Sequence, residues 1–110
     1  VLSERTHGLL GPDELALMKP TAYLVNTSRG PIVDEDALVK ALENGTIAGA
    51  GLDVYAIEPL PSEHPLRAAP NALLTGHTGY VMRENYAKGY GQAIDNIIAW
   101  LAGSPTRLLN

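Results

Sequence analysis

The sequence predicts an α/β fold, and three observations carry that expectation. Short apolar runs of strand length recur along the chain: AYLVN (22–26), AGAGLDVYA (48–56) and NALLT (71–75). Each is apolar throughout instead of alternating, the pattern of parallel strands covered on both faces. Between the first two lies a stretch with helix start and stop signals, and strands alternating with helices argue for a parallel sheet. The 110 residues, 45% of them hydrophobic, suit one domain with a real core and not two.

The elements follow in chain order. Val1 and Leu2, directly before the polar SERT, read as the end of a strand whose beginning lies upstream, so the chain is expected to be part of a longer protein. GPDELALMKP (11–20) is a short helix, with Pro12 at its first position, acids in the first turn and Pro20 as its stop. AYLVN is the first strand. DEDALVKALENG (34–45) is a helix capped by Asp34 and closed by Gly45, with Leu38, Val39 and Leu42 on a buried face. The glycines of AGAGLDVYA allow close packing over the second strand. Residues 57–70, IEPLPSEHPLRAAP, contain four prolines and are expected to form a long ordered loop in place of a crossover helix. NALLT is the third strand. A longer helix from Met82 to Gly103 places Tyr86, Tyr90, Ile94, Ile97 and Leu101 on one stripe. Gly89 and Gly91 inside it point to close packing or a bend. The tail SPTRLLN is expected to be extended and docked. No repeat, low-complexity segment or linker marks a domain boundary.

Composition narrows the function. The formal net charge is −4 and the eight Lys and Arg are scattered, which argues against nucleic acid and for a small ligand. With no cysteine, neither a disulfide framework nor a thiolate metal site is possible, and no metal site is expected. No apolar run approaches the ~20 residues of a membrane span and no signal peptide is visible, so no membrane partner and a cytoplasmic setting are expected.

If the three runs are parallel neighbours, Arg29, Glu58 and His77 all follow strand carboxyl ends, where open α/β sheets bind ligands. Taken singly, each is more often a surface charge; the convergence sets them apart. A guanidinium grips a carboxylate with a planar fork. An imidazole donates and accepts protons near neutral pH, and a carboxylate on its other nitrogen orients it. His7 and His64 fit no such position and are expected to be exposed. GAGLDV has two glycines of a dinucleotide-binding fingerprint but lacks the third and lies within a strand, so it is a decoy.

The same residues carry a family likeness. VNTSRGPIVDEDALVKALENGTIAGAGLDVYAIEPL, LLTGHTGY and, before them, GLLGPDELALMKPTAYL resemble the second half of the cofactor domain of the D-isomer-specific 2-hydroxyacid dehydrogenases. The resemblance implies the second half of a Rossmann-type doubly wound parallel sheet, with the Gly-rich half and the substrate domain upstream. It places the catalytic arginine, glutamate and histidine on Arg29, Glu58 and His77. It places cofactor contacts on Thr6, Thr27, Ser28, Arg29, Asp53, His77 and Gly79, with Asp53 on the nicotinamide carboxamide. The implied cofactor is NAD, with NADP left open. The implied partner is a small 2-keto or 2-hydroxy acid, and the full-length protein is expected to be a homodimer. The 110 residues alone are expected to be inactive and to bind NAD poorly. The sequence departs from the family at Gly76, where proline is usual, and Glu58 separates it from formate dehydrogenases, which carry Gln there. Phosphite, glyoxylate, hydroxypyruvate and phosphoglycerate chemistry stay open. A different class also shares the resemblance: corepressor-like proteins that sense NAD(H) without metabolic turnover.

Overall fold

The computed structural model describes residues 1–109 and divides into two compact units, which follow one another in sequence at Thr78 and Gly79. The first contains a three-stranded sheet in the order β1 (Tyr23–Asn26), β2 (Gly49–Leu52), β3 (Ala72–Leu74). Both pairings are parallel, with Asn26 beside Leu52 and Leu52 beside Leu74, so all three carboxyl ends lie on one edge.

Helix α1 (Pro12–Ala16) starts as expected, with Pro12 at its first position and the Glu14 carboxylate accepting the Gly11 N–H at 3.0 Å. It is shorter than the sequence suggests: the chain leaves the helix at Leu17, before Pro20 acts. Helix α2 (Glu35–Glu43) is capped as read. The Asp34 carboxylate accepts the Ala37 N–H at 2.9 Å. At its other end Gly45 takes a positive φ of 65°, and the Gly45 and Thr46 N–H groups donate to the carbonyls of Leu42 and Ala41, a Schellman closure. Residues 57–70 form an irregular loop with one 3-10 turn at Pro65–Arg67 and a cis bond at Glu58–Pro59.

Leu38, Val39, Ala41 and Leu42 of α2 pack with Leu15, Leu24, Ile47, Ala50, Leu52, Leu60 and Leu66 in one core. Among the described residues, one face of the sheet is covered. Leu24 and Asn26 point inward, whereas Tyr23 and Val25 are each 72% exposed and Leu73 70%. An apolar run shows that a face can be buried; the covering element decides whether it is. Val1 and Leu2 form no strand and are exposed, and the chain is turned there by Thr6, whose hydroxyl donates to the Val1 carbonyl.

The second unit holds α3 (Arg83–Leu101). None of its residues is buried, and a Cβ at Gly89 or Gly91 would meet nothing among the described residues. Tyr86 and Tyr90 stack with ring centroids 5.6 Å apart. The tail folds back within this unit, the Arg107 guanidinium donating to Asn96 Oδ1 at 2.7 Å. No helix among the described residues is long and apolar enough to cross a membrane.

Candidate active site

Three loops leave the carboxyl edge of the sheet, and each is shaped by a side chain that precedes it. At the end of β1, the buried Asn26 accepts the Ser28 N–H at 3.1 Å and donates through Nδ2 to the Arg29 carbonyl at 3.0 Å. This bends Thr27, Ser28 and Arg29 into a compact exposed turn. Gly30 then passes against the next loop so closely that a Cβ there would lie 1.9 Å from the Tyr55 carbonyl carbon and 2.3 Å from the Ala56 nitrogen. Only glycine permits that approach. Neither Asn26 nor Gly30 is singled out by the sequence reading, although a polar residue closing an apolar run is a signal of buried capping.

The loop after β2 brings in Glu58. The strand ends at Leu52, earlier than the AGAGLDVYA run suggests, because its partners end there too. Asp53, Val54 and Tyr55 continue as buried but irregular chain. Tyr55 is anchored by its hydroxyl, which lies 3.0 Å from the Leu52 carbonyl and 2.8 Å from the Thr75 carbonyl and donates to that pair. Burial pushes its phenol pKa up. The Tyr55 N–H donates to Glu58 Oε1 at 3.0 Å.

The loop after β3 brings in His77. The loop is ordered by a clamp: Asp53 Oδ1 accepts from the Thr75 hydroxyl at 2.5 Å and from the Thr78 N–H at 2.9 Å. That clamp spans His77, which sits at φ 58°, in the left-handed region that non-glycine residues seldom adopt. His77 Nδ1 meets Glu58 Oε2 at 2.6 Å, the two side chains being 38% and 34% exposed. The pair lines a cleft of about 270 Å³ with Tyr55, Leu60, Arg67 and Thr75. The hydrogen bond from His77 holds the Glu58 carboxyl below its ordinary pKa, aided by the Tyr55 N–H and, at longer range, by the Arg29 guanidinium.

The expected residues are therefore sorted. Glu58 and His77 touch, Asp53 braces the histidine loop, and Arg29 is not among the residues that line the Glu58–His77 cleft. Thr27 and Ser28 share the Arg29 turn, whose guanidinium Nη1 donates to the Ser28 carbonyl at 2.7 Å. Thr6 belongs to the amino-terminal turn, tied to the Arg29 region through the Gly8 N–H and the Pro31 carbonyl. Gly79 opens the second unit. His7 is exposed as read; His64 is not, its side chain being 20% exposed beside Glu35. Among the described residues no cluster of three or more His, Asp or Glu is arranged to hold a metal.

Residues 1–79 match the family model of the D-isomer specific 2-hydroxyacid dehydrogenase, NAD binding domain. The chain belongs to this family. It is 48% identical over 105 residues to the glyoxylate/hydroxypyruvate reductase B of Yersinia enterocolitica, covering 96% of this chain and 32% of that protein. Among solved structures it resembles the D-lactate dehydrogenase of Lactobacillus jensenii with NAD+, at TM-score 0.86 and 30% identity over 99% of this chain and 37% of that one. It also resembles an acyclic imino acid reductase in complex with NADPH and D-Arg, at TM-score 0.84 and 33% identity over 99% of this chain and 34% of that one. The chain thus spans about a third of the length of the curated relatives it matches. The family is an NAD-binding one, and both NAD+ and NADPH occur among its structural neighbours.

Asp53 supplies a buried carboxylate on the loop that carries Glu58, braced against the His77 loop; a carboxylate is the kind of acceptor that a carboxamide N–H would require.

Proposed function

We propose that the full-length protein transfers a hydride between NAD(H) and a small 2-keto or 2-hydroxy acid, with His77 as the proton donor, Arg29 as the carboxylate anchor and Glu58 as the group that orients His77. The observation that carries this reading is the 2.6 Å contact between His77 Nδ1 and Glu58 Oε2 at the carboxyl edge of the sheet. With Nδ1 against the carboxylate, Nε2 is the ring nitrogen assigned to the substrate oxygen, and the Glu58 charge stabilises the imidazolium that must form. In reduction His77 hands its proton to the carbonyl oxygen; in oxidation it takes the hydroxyl proton back. Arg29 holds the neighbouring carboxylate with its planar fork and polarises the carbonyl beside it. Asp53 holds the nicotinamide carboxamide, while Thr6, Thr27, Ser28 and Gly79 add cofactor contacts. When bound, the cofactor supplies or takes up the hydride.

The 110 residues are read as the second half of the dinucleotide-binding domain, with the Gly-rich half and the substrate domain contributed by the rest of the protein. The relatives named for glyoxylate, hydroxypyruvate and D-lactate support the substrate class, since all three are 2-keto or 2-hydroxy acids. The test is NADH consumption by the full-length protein with glyoxylate, hydroxypyruvate and pyruvate. Turnover of at least one is expected. Arg29→Lys keeps the charge but loses the fork, and is expected to cost at least about tenfold in kcat/KM. Binding of NADH with no turnover of any keto acid would replace this reading with an NAD(H) sensor.

A further inference from the structure

The loop that carries Glu58 has neither a helix nor a strand between Asp53 and its 3-10 turn at Pro65–Arg67, yet the 2.6 Å contact demands that it be held still. Glu35, in the first turn of α2, holds it from outside the cleft. Its Oε1 accepts the Ala56 N–H at 2.7 Å, and its Oε2 lies 3.4 Å from His64 Nε2. His64 Nδ1 accepts the Leu66 N–H at 3.3 Å, which assigns the ring proton to Nε2, the nitrogen facing Glu35. One carboxylate, its side chain only 13% exposed, therefore ties down both limbs of the loop. Ala56 lies between Tyr55, whose N–H occupies one oxygen of Glu58, and Glu58 itself. Fixing the Ala56 N–H fixes the turn that turns the other Glu58 oxygen toward His77.

We propose that Glu35 is a positioning residue for the Glu58–His77 pair, acting through the Ala56 N–H and kept in place by His64. The inference rests on the reading of Glu58 and His77 given above. It gives a charged residue in an ordinary helix first turn a task that its sequence position does not reveal.

The experiment is a double-mutant cycle in the full-length protein, reading kcat and KM with NADH and hydroxypyruvate. Glu35→Ala is expected to lower kcat about tenfold with KM for hydroxypyruvate within about twofold, because the keto-acid anchor is elsewhere. Glu35→Gln keeps an acceptor for the Ala56 N–H and is expected to recover most of that loss. In a Glu58→Gln background the Glu35→Ala effect is expected to shrink below about twofold, since the group being positioned has already been disabled. If Glu35→Ala fails to fold, His64→Ala takes its place: it removes one of the two ties, and its expected kcat loss of about threefold should likewise vanish in the Glu58→Gln background. An unchanged kcat, or a loss of the same size with Glu58 intact and replaced, overturns the proposal while leaving the site assignment standing. Full turnover in Glu58→Gln alone overturns the site assignment itself.

Discussion

The two units of this chain carry apolar residues in the same helical spacing and use them differently. In α2, Leu38 is fully buried and Leu42 4% exposed, within a core shared by strands and loops. In α3, Ile94, Ile97 and Leu101 repeat the spacing and stay 57–71% exposed. The first unit also pins its loops with side chains that reach across long sequence distances: Asp53 to Thr78, Tyr55 to Thr75, Glu35 to Ala56. The second is held by its own helix ladder and by contacts near its end, such as Arg107 to Asn96. The comparison separates what a sequence pattern permits from what a neighbour makes of it. An amphipathic stripe is a capacity for burial, and its energy is realised only where another element removes it from water.

Four substitutions in the 110-residue chain break or sharpen this contrast. Gly30→Ala should have the largest effect, because the added methyl overlaps the Tyr55 and Ala56 backbone, which cannot move aside without dismantling the loop junction. A loss of at least about 3 kcal/mol, or of the folded state, is expected in urea denaturation. An unchanged midpoint would mean that the two loops do not meet as described. Next, Leu38→Ala should cost about 2–5 kcal/mol by leaving a cavity under α2. The matching Ile94→Ala in α3 should stay within about 0.5 kcal/mol, and equal losses at the two sites would erase the distinction between the units. Gly89→Ala meets no neighbour and is expected to act in the opposite direction, stabilising α3 by about 1 kcal/mol, read as raised helicity by circular dichroism.

The same division governs how far the sequence could be read. Asp34 and Gly45 announce the ends of α2 because capping is local chemistry, and the structure uses both as read. The Glu58–His77 contact was accessible because parallel strands of an α/β sheet deliver their following loops to one edge. What was not accessible depends on partners distant in sequence. Burial of β1 on one face only, with Val25 exposed, follows from what packs on the sheet and not from the residues of the strand. The end of β2 at Leu52 follows from the lengths of its neighbours. His64 was expected at the surface because nothing nearby in sequence announces its partner Glu35, which reaches it from α2. Gly30 and Asn26 escaped notice for a related reason: one is required by a backbone that approaches from another loop, the other by donors and acceptors that exist only once the turn has formed.

The central claim is that the His77–Glu58 contact belongs to a proton-transferring site. The most direct measurement is turnover of hydroxypyruvate and glyoxylate by the full-length protein before and after His77→Ala, with NADH binding followed separately by fluorescence titration. If His77 has the proposed proton-transfer role, kcat is expected to fall on the order of 10²-fold or more while NADH affinity changes far less, since most of the proposed cofactor contacts lie at other residues. Turnover that survives His77→Ala undiminished would contradict it.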